Sequence, residues 1–258
     1  MTAVALHYTV DGPEDAPVLV LGPSLGTTGA MWAPQLDLLA STFRVVRYDH
    51  RGHTGSPVPS GPYTLDDLGG DVLALLDTLG VDRVHLGGVS LGGMVAMWLA
   101  SNAPERIDRM VLVCTSARLG PPEAWQIRAA TVRAQGIAAV AEAVLRRWLP
   151  ADFAERHPDA VDNLRAMLLA TPAEGYALCC GVVEHMDLED ALSTVVAPTL
   201  VIAGLEDVST PPAHAQRIVD RIPDARLALV AGAAHLANIS RPELVGQLMH
   251  DHLTGATT

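Results

Sequence analysis

The sequence predicts an α/β protein in which a mostly parallel, doubly wound sheet carries an inserted helical cap. Short apolar runs alternate with stretches of helical spacing over residues 1–117, and this alternation returns over residues 191–258. Such alternation is typical of a parallel sheet with helices on both faces. Residues 118–190 show helical spacing alone. We therefore assign residues 1–117 and 191–258 to one core and residues 118–190 to a cap, or lid, inserted in it.

The core strands are predicted from seven short apolar runs, each about as long as a buried strand. These runs are Val4–Val10, Val18–Leu21, Arg44–Tyr48, Val84–Gly87, Met110–Cys114, Leu200–Ala203 and Leu227–Val230. Because the first run leads into a turn, we expect it to be an antiparallel strand at the edge of the sheet. Helical spacing between the runs predicts helices at Leu65–Leu79, Met94–Ala103, Ala213–Ile222 and Glu243–Leu253.

The cap is predicted from the loss of strand rhythm after Ser116. The stretches EAWQIRAATVRAQG, AAVAEAVLRRWL, DAVDNLRAML and EGYALCCGVVEHM have helical spacing, and strand-like runs return only at APTLVIAG. A segment of roughly 70 residues is short for an independent hydrophobic core. We therefore expect a lid over one edge of the sheet rather than a second domain.

Composition and charge exclude several classes of function. The net charge of −12 disfavours nucleic acid and anionic membranes as partners, and no apolar run is long enough to cross a bilayer. All 17 basic residues are arginine, which excludes a lysine Schiff base or a P-loop lysine. Three cysteines, two of them adjacent, and the lack of an export signal favour a cytoplasmic protein. No spacing resembles a zinc site, and nothing points to a particular oligomeric state.

A serine between glycines, within HLGGVSLGGMVAMWLA, marks a candidate nucleophile elbow. Gly88-Val89-Ser90-Leu91-Gly92 lies between a predicted strand and a predicted helix, which is the context that a G-x-S-x-G elbow requires. The glycines remove side chains that would collide in so sharp a turn. The turn sets the Ser90 hydroxyl at a helix N-terminus, where N–H groups can meet a developing negative charge. Ser90 is therefore the candidate nucleophile.

A serine nucleophile needs a base, and the base needs a group that orients it. In this architecture the three follow the chain order Ser, Asp or Glu, His, each after a strand. TLVIAGLEDVSTPP places Glu206 and Asp207 after one predicted strand, and LALVAGAAHLAN places His235 after the next. We therefore assign His235 as the base and either Asp207 or Glu206 as the acid.

Two backbone N–H groups are candidates for an oxyanion hole. The residue after the nucleophile, Leu91, supplies one, and a loop after an early strand supplies the other. LVLGPSLGTTGAMW is that loop, and Leu25 is its candidate donor. His50 and His53, around RGH on the same rim, are interpreted mainly as residues that shape a loop.

Together these motifs resemble the α/β-hydrolase superfamily over essentially the whole chain, and within it the 3-oxoadipate enol-lactonases. The resemblance lies in SLGTTGAMW, YDHRGHTGSP, GVSLGGMVAMWLA, APTLVIAGLED and AAHLANISRPE, and in the cap strings WQIRAATVRAQG and EGYALCC. The elbow and triad are common to many hydrolases, whereas the cap strings are more particular. The position of the acid in resembling sequences favours Asp207 over Glu206.

The resemblance implies that the chain opens a small, carboxylate-bearing lactone through an acyl-enzyme, without a cofactor. Such a substrate needs a positive group in the pocket, and without lysine this must be an arginine. Arg128 and Arg133 in the cap string are the candidates, and Trp125 is expected to form a wall with Arg128. Five residues apart on a helix, the two arginines point about 140° from each other, so both cannot face the pocket squarely.

Departures from the enol-lactonase pattern keep other substrates open. Pro23, Thr54, Val208-Ser209 and Ser240-Arg241 stand where Asn, Gly, Pro-Ala and Glu-Gln are more usual, although none removes a catalytic group. A carboxylesterase, a C–C hydrolase, a biosynthetic enzyme or a low-turnover ligand-binding protein could share the same residues. An epoxide hydrolase or dehalogenase is disfavoured, because these need a carboxylate in place of Ser90.

Overall fold

The structure, a computed structural model, describes residues 2–256 and shows a seven-stranded sheet. Its strands are β1 (Tyr8–Asp11), β2 (Val18–Gly22), β3 (Arg44–Tyr48), β4 (Val84–Val89), β5 (Ile107–Val113), β6 (Thr199–Gly204) and β7 (Ala225–Val230). They lie in the order β1-β3-β2-β4-β5-β6-β7, with β1 antiparallel to β3 and all other neighbours parallel. The carboxyl ends of the parallel strands therefore meet at one edge, where functional loops can converge.

Within residues 2–256, eleven α-helices accompany the sheet. They are α1 (Leu36–Leu39), α2 (Leu65–Leu79), α3 (Leu91–Asn102), α4 (Pro122–Gln135), α5 (Ala138–Trp148), α6 (Ala151–Arg156), α7 (Pro158–Ala170), α8 (Ala173–His185), α9 (Pro212–Val219), α10 (Ala237–Ser240) and α11 (Pro242–Thr254). Three 3₁₀ segments lie at Gly29–Gln35, Pro104–Arg106 and Ala191–Thr194. None of these helices alone is long and apolar enough to cross a membrane; α7 and α8 meet that test only as a pair bent by 95°.

Two adjacent glycines in β4 show that helices pack closely on both faces of the sheet. A Cβ on Gly87 would meet Met249 of α11 at 3.2 Å, whereas a Cβ on Gly88 would fall on Gly92 and Gly93 of α3. Because successive strand residues point to opposite faces, α11 and α3 lie on opposite sides of β4. All six residues of β4 are buried, as expected for the centre of a doubly wound sheet.

The predicted fold class is confirmed, with differences at the ends of elements. The predicted helix Leu65–Leu79 coincides with α2, and β1 is antiparallel at the sheet edge, as expected. However, β1 begins at Tyr8 rather than at Val4. The reason is that the Val4 N–H donates to the Asp71 carboxylate at 2.7 Å instead of to a neighbouring strand.

The cap segment, residues 118–190, holds α4 to α8 and has no strand at any of its positions, all of which the structure describes. Its helices α4 and α8 pack against each other. Its buried side chains, including Val132, Leu168 and Tyr176, belong to the same hydrophobic cluster as the strands. This shared interior fits a lid better than a separate domain. The division of the chain at residues 117/118 and 190/191 stays a prediction.

Candidate active site

Ser90 lies in a sharp turn between β4 and α3, which begins at Leu91 rather than at the predicted Met94. Its φ of 53° is in the left-handed region that residues with side chains rarely adopt. The Ser90 N–H donates to the Val113 carbonyl at 3.0 Å, and the Ser90 carbonyl accepts from the Thr115 hydroxyl at 2.7 Å. The turn is thus strained and held from both sides, as is typical of a nucleophile elbow.

The glycines on either side of Ser90 are required by close backbone contacts. A Cβ on Gly88 would fall on the backbone of Gly92, and a Cβ on Gly92 would fall on the carbonyl group of Gly22 in β2. Backbone atoms cannot swing aside as the end of a flexible side chain can. These contacts give the steric reason for the G-x-S-x-G pattern.

The loops after β6 and β7 bring Asp207 and His235 together. Asp207 Oδ2 lies 2.9 Å from His235 Nδ1, and both side chains are buried. With Nδ1 bound to the carboxylate, Nε2 is the imidazole nitrogen that can face a serine hydroxyl. Glu206 is exposed, and its N–H donates to the Ala233 carbonyl at 2.9 Å. Asp207, and not Glu206, therefore lies against the histidine.

Three further hydrogen bonds fix the Asp207 carboxylate. Oδ1 accepts from the N–H groups of Ser209 at 2.7 Å and Thr210 at 3.0 Å, and Oδ2 accepts from the Thr210 hydroxyl at 2.7 Å. Burial by itself raises the pKa of this carboxyl, but the charge and hydrogen bond of His235 and the bonds from Thr210 outweigh burial and lower the pKa. Asp207 is therefore held in its ionised form, which can orient an imidazole.

A pocket of about 230 Å³ opens beside Ser90 and His235. Residues of the core and of the cap line it: Ser24, Leu25, Ser90, Val208, Ser209 and His235 from the core, and Leu119, Gly120, Pro121, Ala124, Trp125, Arg128, Val144, Arg147, Trp148 and Tyr176 from the cap. Two of these residues are arginines, and no described lining residue is an aspartate or a glutamate. In a chain of net charge −12, the described lining of this pocket thus carries two positive side chains and no carboxylate.

Two of the three predicted substrate-binding residues lie in the pocket. The guanidinium carbon of Arg128 is 4.5 Å from the centroid of the Trp125 ring, in a cation–π arrangement that forms one wall. The prediction for Arg133 is corrected, because this residue lies outside the pocket. Its guanidinium donates two hydrogen bonds to the Glu174 carboxylate, at 2.9 and 3.0 Å. The five-residue spacing turns it away from the face of α4 that carries Arg128.

Arg147 lines the pocket but was not singled out from the sequence. It lies on α5 with Val144 and Trp148, and all three line the same pocket. Their spacing of three and four residues places them on one face of the helix. This apolar face interrupted by a single arginine is the signal that could have indicated Arg147.

The two N–H groups predicted for the oxyanion hole have no hydrogen-bond partner among the residues that the structure describes. Leu25 lies in the turn after β2 and lines the pocket, and Leu91 opens α3 directly after the serine. The loop and the helix are joined, since the Gly92 N–H donates to the Pro23 carbonyl at 3.0 Å. Two backbone donors thus remain available on the Ser90 side of the pocket.

The departures from the enol-lactonase pattern are divided between the pocket, the loop after β2 that carries Pro23, and positions away from both. Val208 and Ser209 line it, whereas Thr54 is exposed and its hydroxyl donates to the Ala170 carbonyl of the cap at 2.9 Å. The Ser240 hydroxyl donates to the carbonyl of Leu236, the residue before α10, at 3.3 Å. Among residues 2–256, no group of three or more His, Cys, Asp or Glu could hold a metal ion.

A parallel sheet with a helical insertion and a strained serine between β4 and α3 defines a class of enzymes. Residues 17–242 match the α/β hydrolase fold family, and the chain belongs to this family. It is an enzyme of the carboxylic-ester hydrolase type, as its relatives indicate.

Within this family, the chain is similar to two enol-lactonases and an esterase. The chain is 38% identical to 3-oxoadipate enol-lactonase 2 from Acinetobacter baylyi over 240 residues, which cover 93% of this chain and 90% of that protein. It is 42% identical to the enol-lactonase from Burkholderia xenovorans LB400 in a crystal structure with a TM-score of 0.95, with 97% of each chain covered. A thermophilic esterase from Thermogutta terrifontis, with malate bound, is 31% identical at a TM-score of 0.91, covering 99% of this chain and 95% of that chain.

Proposed function

We propose that the protein is a serine hydrolase that opens a small, carboxylate-bearing lactone, similar to 3-oxoadipate enol-lactone, through an acyl-enzyme. One observation carries the proposal: a single pocket combines Ser90 and His235 with Arg128 and Arg147, and no described lining residue is a carboxylate. A guanidinium can bind a carboxylate through two parallel hydrogen bonds. The two enol-lactonase relatives, and the malate in the related esterase, support an anionic ligand.

The residues of the site account for each step of such a reaction. Ser90 attacks the lactone carbonyl while His235 Nε2 takes the hydroxyl proton, and Asp207 stabilises the imidazolium that forms. The N–H groups of Leu25 and Leu91 donate to the developing oxyanion. The ring opens as the enolate leaves, takes the proton from His235 and stays tethered to the acyl chain. Water deprotonated by His235 then attacks the acyl carbon, and the imidazolium returns this proton to Ser90 Oγ as the acid leaves. The proposal therefore requires no cofactor.

Replacement of Ser90 tests the covalent step. Ser90→Ala should lower kcat by about 10⁶-fold, because the members of a triad act as a unit. A fluorophosphonate should label the parent on the peptide that contains Ser90 and should leave the variant unlabelled. Activity within tenfold of the parent, or a label on another residue, would overturn the assignment of the nucleophile.

Paired substrates test the role of the arginines. We expect Arg128→Ala and Arg147→Ala to lower kcat/KM on an anionic lactone, since a charged hydrogen bond contributes about 1.5–3 kcal/mol. The same variants should change kcat/KM on the neutral methyl ester of that lactone little. Arg146→Ala is the matched control for Arg147→Ala, because Arg146 is exposed on the same helix, α5, and does not line the pocket.

The same measurements decide between a lactonase and a general carboxylesterase. A carboxylesterase should prefer the neutral methyl ester and simple aryl esters, and its preference should not depend on either pocket arginine. If the parent shows that preference, and neither variant changes the ratio of the two kcat/KM values, then the carboxylesterase replaces the lactonase as the proposed function.

A further inference from the structure

Three consecutive backbone N–H groups in the loop after β2 differ in their hydrogen-bond partners. The Ser24 N–H donates to the Met31 sulfur at 3.2 Å, and the Gly26 N–H donates to His53 Nε2 at 2.9 Å. The Leu25 N–H, between them, has no partner among the described residues. The N–H groups on both sides of Leu25 are thus hydrogen-bonded within the protein, whereas that of Leu25, one of the two that the proposed function assigns to the oxyanion, is not.

The peptide group at the start of the same loop is also held by a histidine. His50 Nε2 lies 3.0 Å from the Pro23 carbonyl oxygen, which also accepts the Gly92 N–H at 3.0 Å. The His50 contact fixes the peptide plane of Pro23 and Ser24, and the His53 contact fixes that of Leu25 and Gly26. The plane between them carries the Leu25 N–H and is flanked by both histidine contacts. Its own carbonyl, that of Ser24, accepts from the Thr27 N–H at 3.0 Å and from the Thr27 hydroxyl at 2.8 Å.

The partners of each ring determine where its proton lies. A carbonyl oxygen only accepts, so His50 must carry a proton on Nε2. An amide N–H only donates, so His53 Nε2 must be bare and its proton must lie on Nδ1, which faces the Arg51 carbonyl at 3.3 Å. A doubly protonated His53 could not accept from Gly26. The contact therefore requires a neutral His53.

The surroundings keep both rings neutral. The two side chains are buried, with 1% and 0% of their surface exposed, and their ring centroids lie 5.7 Å apart. Burial lowers the pKa of His53 to about 4, and burial together with the charge of His53 lowers the pKa of His50 to about 3. Neither ring lines the pocket, so neither can contact a substrate there.

We propose that His50 and His53 are positioning residues, which hold the two peptide planes that flank the Leu25 N–H and so aim this N–H at the oxyanion. The inference rests on the proposed function, in which Leu25 is a donor of the oxyanion hole. An oxyanion donor acts only when it is placed for the charge of the transition state. Loss of the His53 acceptor should therefore lower kcat and leave KM nearly unchanged.

Two substitutions of His53 separate the acceptor from the volume of the ring. His53→Leu removes the acceptor, whereas His53→Gln keeps an oxygen as many bonds from Cα as Nε2 is. With p-nitrophenyl acetate, we expect His53→Leu to lower kcat by about 10–100-fold, below the loss for removal of a donor itself. Its affinity for an aryl trifluoromethyl ketone, which forms an oxyanion on Ser90, should fall by a similar factor. His53→Gln should recover most of both.

A second buried histidine provides the control. His252 is buried, and its Nε2 lies 3.1 Å from the Pro198 carbonyl, away from the pocket and the loop. His252→Leu should lower the urea midpoint of unfolding and leave kcat and the ketone affinity unchanged. If it lowers kcat as much as His53→Leu does, the effect is one of general stability and the inference is overturned.

The outcomes distinguish this inference from the proposed function. If the parent depends on Ser90 but His53→Leu keeps kcat within about twofold, or His53→Gln recovers nothing, only the inference on the histidines fails. If the parent neither hydrolyses the ester nor reacts with a fluorophosphonate, the proposed function fails and takes the inference with it.

A measurement on the parent covers the case in which His53→Leu does not fold. Imidazole ¹⁵N spectra, with the His53 signals assigned from their loss in His53→Gln, should show His53 protonated on Nδ1 alone and His50 protonated on Nε2. The spectra are recorded between pH 6 and 8, well above the lowered pKa values of both rings. A proton on His53 Nε2 would exclude the contact with Gly26 and overturn the inference.

Discussion

At the scale of single residues, Asp207 is held far more firmly than its neighbour Glu206. The Asp207 carboxylate accepts from Ser209 and Thr210 and faces His235, whereas Glu206 is exposed. Both carboxylates follow the same strand, so the chain order of the triad does not separate them. The difference arises from the loop after β6, which turns one side chain inward and the other outward.

The consequence for activity is a large difference between two adjacent substitutions. Asp207→Asn should keep the fold and lower kcat by about 10⁴-fold, because an amide favours the wrong tautomer of the histidine. Glu206→Gln is the matched control and should change kcat little. Steady-state kinetics on one ester measures both. The opposite order of effects would make Glu206 the acid and contradict the observed contact.

The pocket arginines show how far the sequence determines such a site. The order of Ser90, Asp207 and His235, each after a strand, could be predicted, since strand ends meet at one edge of a parallel sheet. Arg128 and Arg133 could not be separated, because their helical phase was known but not the face of α4 that turns to the pocket. That face depends on how α4 packs on α8, a contact between segments distant in the sequence.

At the scale of elements, α8 lies in direct backbone contact with the loop after β3. A Cβ on Gly175 in α8 would fall on the backbone of Gly52, and Gly52 itself has a φ of 79°. The same loop carries His50 and His53. The cap thus contacts the loop that supports the candidate oxyanion donor. At this contact neither Gly175 nor Gly52 has room for a side chain.

Substitution by alanine should therefore have opposite effects on stability at two glycines of α8. Gly175→Ala should destabilise the protein by about 1–3 kcal/mol, as overpacking does, and should lower kcat. Gly181→Ala is the matched control, because a Cβ there meets nothing within 4 Å. It should stabilise the helix by about 0.5–1 kcal/mol. Urea unfolding measures both, and a stable Gly175→Ala would contradict this close contact.

The elements that the sequence did not predict are those too short to have a period. Helices α1 and α10 have only four residues each, about one turn, so no repeat of apolar positions can mark them. The longer α2 was predicted in full, because it repeats its apolar face over four turns. Its Thr64 and Asp67 also form a capping box at its start.

At the scale of the whole molecule, buried neutral histidines couple stability to pH. Burial lowers the pKa of His53 and of His252 to about 4, and that of His50 to about 3, from an ordinary value of 6.5. Between pH 6.5 and 4 the unfolded chain therefore binds more protons than the folded one. The free energy of unfolding should fall as the pH falls through this window, by about 1–2 kcal/mol per histidine between pH 7 and 5.

Urea unfolding at pH 7, 6 and 5 measures this dependence. His252→Gln should make it shallower by the contribution of one histidine, because glutamine does not titrate. A stability that does not vary over this range would contradict the burial of neutral imidazoles.

The two pocket arginines should also affect how readily the product leaves the enzyme after each turnover. In the proposed reaction a lactone with one carboxylate becomes an acid with two, so the product gains a negative charge while Arg128 and Arg147 remain in place. The product should therefore inhibit at concentrations below the KM of the substrate, and added salt should relieve that inhibition. We expect escape of the product to become slower as the ionic strength falls. The net charge of −12 opposes this retention by repelling the departing dianion once it leaves the mouth of the pocket.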